Sequence, residues 1–207
     1  MIGFDSEHPS GWRYKRQLAA GHEPLRLVAL LILVAGLLAS EPGLSGELRP
    51  LPDGIPMPEL VLPGLDGAEH RLSDLRGSVV LVNFWASWCQ PCIKEIPNLL
   101  RLRASYAGKP FEILAIDVME AENEVRHFVT QHGMDFPVLL DEDGKQFAAW
   151  GSEFLPTTFV IDATGMVRYV GLADLEWDTG EVRMALDALL QKNPGSDPGS
   201  SCCAEEL

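Results

Sequence analysis

The chain is poor in basic residues. Its 207 residues include 16 Lys and Arg against 30 Asp and Glu, a formal net charge of −14 at pH 7. A nucleic-acid-binding surface needs a basic stripe that neutralises phosphates, and the sequence has no such stripe. The acidic surface indicates solubility and, at most, a mild preference for basic partners.

Cysteine is also scarce, and the four cysteines form two close pairs, Cys89 with Cys92 and Cys202 with Cys203. A C-x-x-C pair by itself is compatible with a redox dithiol, a structural disulfide or half of a zinc site. Haem attachment requires a histidine directly after the pair, where Ile93 stands. The P-x-x-x-T-x-x-C context of a peroxiredoxin is missing around Cys89 and Cys92. We keep a peroxiredoxin-like peroxidase and a metal-binding chaperone as alternatives from other functional classes, and we expect no metal site or cofactor.

The N-terminal region has one apolar run, Leu27–Ala39, which is only thirteen residues long. A helix of that length measures about 20 Å, short of the ~30 Å hydrocarbon core. The basic residues upstream of it should stay in the cytoplasm, so the rest of the chain is expected to be exported. No clean A-x-A site precedes Glu41, so we predict that residues 1–40 form a cytoplasmic N-terminus and a signal anchor. The catalytic domain would then lie on the periplasmic side of a bacterial inner membrane, and a cleaved signal peptide would leave it periplasmic or secreted.

Two segments lack the periodicity of helices and strands. Residues 41–57 are rich in Pro and Gly and are predicted to be a linker. Residues 193–207 are predicted to be a disordered acidic tail. We interpret Cys202 and Cys203 in this tail as incidental, with a redox relay or a soft metal ion as alternatives. The folded domain is therefore predicted over residues 58–192, a normal size for one core.

Within that domain, strand and helix patterns alternate. Val79–Trp85 is almost continuously apolar, as a strand buried on both faces should be. The other predicted elements are a hairpin of Leu60–Leu62 and Glu69–Leu72, a helix over Gln90–Ala107, a strand at Phe111–Val118, a helix over Glu122–His132, a strand at Phe136–Leu140, a short helix at Lys145–Trp150, a hairpin of Thr158–Asp162 and Val167–Gly171, and a helix over Thr179–Gln191. This order predicts an α/β fold with a central mixed sheet and helices on both faces.

The segment Trp88–Cys92 reads WCQPC and follows the predicted buried strand directly. If a helix begins at Cys89, both sulfurs lie at its N-terminus, where free backbone N–H groups and the helix dipole favour a thiolate. Pro91 suits the first turn of a helix, because its missing N–H costs nothing there. The pattern predicts a nucleophilic Cys89 with Cys92 as the resolving thiol, and Trp88 can offer contact area to a partner.

Three features together resemble the thioredoxin-fold oxidoreductases: the run VVLVNFWASWCQPC, Pro97 five residues after Cys92, and LPTTF at residues 155–159. The opening hairpin, the additional helix and the predicted anchor resemble the ResA/TlpA family of exported, membrane-anchored thiol-disulfide oxidoreductases. The resemblance covers about residues 57–190. It implies a thioredoxin-like fold with an added N-terminal β-hairpin and one inserted helix.

The resemblance also implies roles for residues around the dithiol. Pro156 matches the cis-proline that faces the active-site cysteines in this fold. Its turn would present backbone groups of Leu155 and Thr157 to a partner's cysteine segment, beside Trp88. Glu95 lies one helical turn after Cys92, and the pattern alone leaves it either a proton relay or an exposed charge. The resemblance favours the relay.

The function that the resemblance implies is exported thiol-disulfide exchange. It suggests reduction of apocytochrome c cysteines during c-type cytochrome maturation, with a membrane thiol-disulfide transporter of the CcdA/DsbD kind as electron donor. Reduction of cysteines in a copper-site assembly protein, or general repair of exported thiols, is the alternative within the same chemistry.

Overall fold

A computed structural model describes residues 46–192 of the chain. The predicted anchor, with its apolar run at residues 27–39, and the tail with Cys202 and Cys203 lie outside the described residues. Within residues 46–192, no helix is both long enough and apolar enough to cross a membrane.

Eight strands and four α-helices make up the described part of the chain. The strands are β1 (Glu47–Pro56), β2 (Val61–Pro63), β3 (Glu69–Arg71), β4 (Val79–Trp85), β5 (Phe111–Val118), β6 (Val138–Asp141), β7 (Thr157–Ile161) and β8 (Met166–Leu172). The helices are α1 (Gln90–Ser105), α2 (Glu122–His132), α3 (Lys145–Ala149) and α4 (Gly180–Gln191), with a 3-10 turn at Leu72–Leu75. The predicted α/β fold is confirmed, and the predicted bounds of α2 agree with the structure.

Six strands form one mixed sheet in the order β1-β8-β7-β4-β5-β6. β4, β5 and β6 run parallel, while β7 and β8 continue the sheet antiparallel on the other side of β4. β2 and β3 pair as a separate antiparallel hairpin, as the sequence predicts. Parallel neighbours need a crossover, and α1 and α2 supply those crossovers between β4, β5 and β6.

Strand β4 lies at the centre of the core, with all seven of its residues buried. Its alternate residues serve two separate clusters, because successive side chains of a strand point to opposite faces. Val79, Leu81 and Trp85 pack with apolar residues of α1, α2 and α4. Val80, Val82 and Phe84 pack with the β2–β3 hairpin, the 3-10 turn and Trp150 after α3. This two-sided burial explains why the strand reads as a continuous apolar run rather than an alternating one.

The prediction that residues 41–57 form a linker is wrong for residues 47–56. Glu47–Pro56 forms the edge strand β1, which pairs antiparallel with β8, and its register shifts between Pro50 and Ile55. Proline has no N–H for a ladder hydrogen bond, so it is tolerated at the edge of a sheet and at an irregularity of this kind. The folded domain therefore begins before residue 58.

Phe84 provides a test of the second cluster, because its ring contacts the rings of Phe147, Trp150 and Phe159 at centroid distances of 5.7, 5.8 and 6.1 Å. We expect Phe84→Ala to lower the free energy of unfolding by about 3–5 kcal/mol, because it leaves a cavity among aromatic rings. The same change at Phe154, whose side chain is 59% exposed, is the matched control and should stay within about 0.5 kcal/mol. Urea unfolding of both variants measures the difference, and equal losses would contradict this account of the core.

Candidate active site

Cys89 and Cys92 lie where β4 passes into α1, and their sulfurs form a disulfide with the two Cα atoms 5.3 Å apart. Cys89 is the N-cap of α1, and its Sγ accepts a hydrogen bond from the Cys92 backbone N–H at 3.3 Å. Both cysteines are buried. The helix end therefore aims a free backbone donor at the sulfur that would carry the negative charge after reduction, as the sequence predicts.

Trp88, Leu155 and Pro156 lie at the same edge of the sheet as the cysteines. Trp88 directly precedes Cys89 and is 63% exposed. The Leu155–Pro156 peptide bond is cis, as the resemblance implied. β7 starts immediately after it and runs antiparallel to β4, with Thr157 opposite Phe84 at the end of β4. The cis-proline turn thus comes to the C-terminal end of β4, which also leads into the dithiol.

Thr157 does not offer a free backbone edge. It pairs in register with Phe84 on one side and with Leu172 on the other, and its side chain is buried. Its hydroxyl donates a hydrogen bond to the carbonyl of Phe154 at 2.7 Å. The sequence-based expectation of a Thr157 contact is therefore corrected, because the sheet already occupies both sides of this residue. Leu155 is half-buried and lies outside the strand.

Glu95 is buried on α1, three residues after Cys92, with 2% of its surface exposed. One carboxyl oxygen accepts hydrogen bonds from the Leu175 backbone N–H at 2.7 Å and from the Trp177 indole N–H at 3.2 Å. The other accepts from the Asn83 amide at 3.5 Å. An exposed glutamate that contributes only charge, the alternative left by the sequence, is excluded by this burial.

Burial raises the pKa of Glu95 to about 8, because the charged form loses its water. The three hydrogen bonds from Leu175, Trp177 and Asn83 act in the opposite direction, and the nearby charge of Asp174 adds to the rise. The result is a carboxyl group whose pKa lies close to the ordinary value of about 8.5 for a thiol. Similar pKa values are one requirement for proton transfer between a carboxyl group and a thiol.

Two of the residues that donate hydrogen bonds to Glu95 were not predicted as its partners from the sequence. Trp177 comes from the loop between β8 and α4, which has no motif, and it is fully buried. Asn83 is the one polar residue in the run VVLVNFW, and this was the available signal for it. Its amide also donates to the Thr158 hydroxyl at 2.8 Å, which orients the amide toward Glu95. The donors reach Glu95 from β4 and from the β8–α4 loop, so they meet only in the folded chain.

The described residues contain no group of three or more His, Cys, Asp or Glu side chains placed to hold a metal ion. The arrangement present between residues 46 and 192 is a dithiol with a buried carboxyl group. Such a site performs two-electron exchange with another disulfide.

The pH dependence of stability tests the burial of Glu95. The folded protein keeps a proton on Glu95 that the unfolded chain releases near the ordinary pKa of 4.5. The free energy of unfolding therefore falls as the pH rises from about 4.5 to 8. Gln cannot ionise, so we expect Glu95→Gln to reduce this slope and to raise the free energy of unfolding at pH 7.5 by on the order of 1–3 kcal/mol.

Urea unfolding of the oxidised protein at pH 5 and pH 7.5 measures this linkage. Glu153→Gln, at an exposed glutamate, is the control and should keep the slope of the unchanged protein. A Glu95→Gln variant with that same slope would mean that Glu95 ionises in the folded state as an ordinary surface carboxyl does.

Comparison with known proteins agrees with this geometry. Residues 54–170 match the AhpC/TSA family. The thiol-disulfide oxidoreductase ResA of Geobacillus thermodenitrificans is 38% identical over 147 residues, which cover 70% of this chain and 84% of the relative. A crystal structure assigned as a thiol:disulfide interchange protein DsbE from Chlorobium tepidum is 32% identical with a TM-score of 0.62, covering 66% of this chain and 96% of that one. A secreted thiol-disulfide isomerase from Corynebacterium glutamicum is 27% identical with a TM-score of 0.59, covering 73% and 93%. The chain therefore belongs to the AhpC/TSA family and, within it, to the ResA group of thioredoxin-like thiol-disulfide oxidoreductases.

Proposed function

We propose that this thiol-disulfide oxidoreductase reduces disulfides of exported proteins, with Cys89 as nucleophile, Cys92 as resolving thiol and Glu95 as proton carrier. The observation that carries the proposal is the burial of Glu95 on the helix that begins at Cys89, three residues beyond Cys92. Within residues 46–192 this carboxyl group forms hydrogen bonds with uncharged donors only, so its buried place on α1 supports a role in proton transfer rather than in an ion pair.

The first step is attack of the Cys89 thiolate on one sulfur of the partner disulfide. A bond forms between Cys89 and that sulfur, and the other partner sulfur leaves as a thiolate that takes up a proton. The Cys92 N–H, which donates to Cys89 Sγ in the oxidised protein, supports the same sulfur as an anion. The helix dipole at the start of α1 also stabilises the Cys89 thiolate.

The second step is attack of Cys92 on Cys89 in the mixed disulfide. Glu95, as the carboxylate, takes the proton of the Cys92 thiol, and the resulting thiolate displaces the partner's remaining sulfur. The partner has then gained two electrons, and the Cys89–Cys92 disulfide is restored. A pKa of about 8 suits Glu95 to this task, since it leaves a useful fraction of both protonation states near neutral pH.

In this proposal the exposed side chain of Trp88 and the turn of Leu155 and Pro156 contact the partner protein. Trp88 offers an apolar face beside Cys89, and the turn lies across the same edge of the sheet. Backbone groups of Leu155 are left to pair with an extended partner segment, because Thr157 already lies within the sheet between β4 and β8.

The proposed location is outside the cytoplasm. The apolar run at residues 27–39, with basic residues before it, supports export, and a secreted protein of C. glutamicum has the same fold. Within that location we propose that the protein reduces apocytochrome c cysteines during c-type cytochrome maturation and is recycled by a CcdA/DsbD-type transporter. Reduction of cysteines in copper-site assembly is the alternative partner for the same chemistry.

Trapping identifies the partner. Cys92→Ser, with Cys89 intact, should accumulate mixed disulfides with exported proteins, because the resolving thiol three residues from Cys89 has been removed. Non-reducing gels followed by mass spectrometry of the captured species measure the outcome, and an apocytochrome c among them would support the proposed pathway.

The matched control is Cys89→Ser, which should trap nothing and should have lost disulfide reduction. A Cys92→Ser protein that captures no exported protein but still removes peroxide would overturn the exchange proposal in favour of a peroxidase.

The pH dependence of resolution tests the role of Glu95. In a preformed mixed disulfide, Glu95→Gln should slow release of the partner by about 10- to 100-fold at pH 7, since the general base is lost. The difference should shrink as the pH rises above about 9, where the Cys92 thiol ionises without help. Stopped-flow release of a labelled peptide measures both rates, and a loss that does not depend on pH would contradict proton transfer.

A further inference from the structure

Asp117 and Glu120 are a pair of acidic residues close to the turn Ala86–Cys89, which we call the active-site turn. Neither residue has a role in the exchange mechanism described above. Asp117, near the end of β5, is 1% exposed, and Glu120, in the turn that follows, is 8% exposed. Asp117 pairs in register with Trp85, the last residue of β4. The two acids therefore lie at the level of the sheet where β4 turns toward Cys89.

Glu120 contacts the active-site turn directly. Its Oε2 accepts the backbone N–H of Ser87 at 2.5 Å, and its Oε1 accepts the Ser87 hydroxyl at 2.5 Å. Ser87 lies two residues before Cys89, whose own N–H donates to the carbonyl of Ala86 at 3.1 Å. Both carboxyl oxygens of Glu120 therefore accept hydrogen bonds from the turn that leads to the nucleophile Cys89.

Asp117 has no such partner. Neither of its carboxyl oxygens has a hydrogen bond of ordinary length within the described residues, although the side chain is almost fully enclosed. The titratable groups that face it are Glu120, from the following turn, and Asp141, from the neighbouring strand β6. β4, the neighbouring strand on the other side of β5, contributes only uncharged residues.

An ionised Asp117 would therefore be buried beside two other carboxyl groups. Burial first, and then the Glu120 side chain, raise the pKa of Asp117 to about 9. Asp117 therefore keeps its proton at neutral pH, and its O–H is a hydrogen-bond donor toward the neighbouring Glu120.

We propose that Asp117 and Glu120 act as positioning residues, with Glu120 holding the Ala86–Cys89 turn through Ser87 and the enclosed Asp117 supporting Glu120. A protonated Asp117 places no negative charge of its own beside Glu120, so Glu120 can accept both Ser87 donors without repulsion from Asp117. This role concerns the geometry of Cys89, and it does not depend on which partner protein the dithiol reduces.

The pair also links the two turns that carry exposed apolar side chains at this edge. Met119 lies between Asp117 and Glu120, is 61% exposed and has a φ of 62°, a left-handed conformation that is rare for residues other than glycine. Its N–H donates to the carbonyl of Asp141 at 3.0 Å, which anchors this turn to β6. Loss of the Glu120–Ser87 contacts would therefore let the turn with Trp88 move relative to Met119.

The test uses the oxidised protein, whose active-site cysteines do not titrate. The ¹H–¹⁵N shift of the Ser87 amide, followed from pH 6 to 10, should show a transition near pH 9, when Asp117 loses its proton. The ¹³C resonance of the Asp117 carboxyl should titrate with the same midpoint. Asp117→Asn should abolish the Ser87 transition, because the amide remains a neutral donor to Glu120. Glu95→Gln, which removes the buried carboxyl group of α1, is the control and should retain the transition.

Reactivity supplies the second readout. Glu120→Gln offers Ser87 one acceptor oxygen in place of two, so the reduced variant should react about 3- to 10-fold more slowly with a small aromatic disulfide at pH 7. A Ser87 shift that is flat to pH 10 in the unchanged protein would overturn the proposal without any variant. A transition that survives in Asp117→Asn, or a Glu120→Gln protein with unchanged Ser87 shift and rate, would overturn it as well.

Discussion

The burial of the Glu95 carboxyl group is the constraint on which the active site depends. Removing a carboxyl group from water is costly unless the group keeps its proton or finds hydrogen-bond donors, and Glu95 does both. The Leu175 N–H and the Trp177 indole hold it from the β8–α4 loop, while Asn83 holds it from β4. The loop after β8, remote in sequence from the C-x-x-C motif, is therefore part of the site.

The topology of the sheet gathers the remaining parts. β4 and β5 are parallel, so their C-terminal ends meet at one edge, and the antiparallel β7 begins at that same edge. The dithiol follows β4, the Asp117–Glu120 pair ends β5, and the cis-proline turn precedes β7. Glu95 and Glu120 are both buried and have different tasks at this site. Glu95 serves proton transfer in our proposal, and Glu120 holds the turn that carries Cys89.

Sequence reasoning succeeded where one local signal was strong. The apolar run Val79–Trp85 predicted β4, and the helical pattern of Glu122–His132 predicted α2. Gly133, directly after α2, has the left-handed conformation that closes the helix. It failed for β1, where prolines in Glu47–Pro56 suggested a linker, because edge pairing with β8 has no local signature. It also failed for Thr157, whose two backbone sides are taken by strands from both directions along the chain. Asp117 was read only as part of a buried strand, although an acid in such a run is itself a signal.

The sequence by itself determined the reactive chemistry: a dithiol at the start of a helix, a proline suited to its first turn, and a carboxyl group one helical turn further on. These properties are local, because a helix start and an i, i+3 spacing need only neighbouring residues. Only the tertiary structure decided that Glu95 is enclosed rather than exposed, and that Trp177 and Asn83 are its donors. It likewise decided that Asp117 and Glu120 lie against the nucleophile's turn. Burial and hydrogen bonding between distant segments set these protonation states, and both arise only when the sheet and the β8–α4 loop come together.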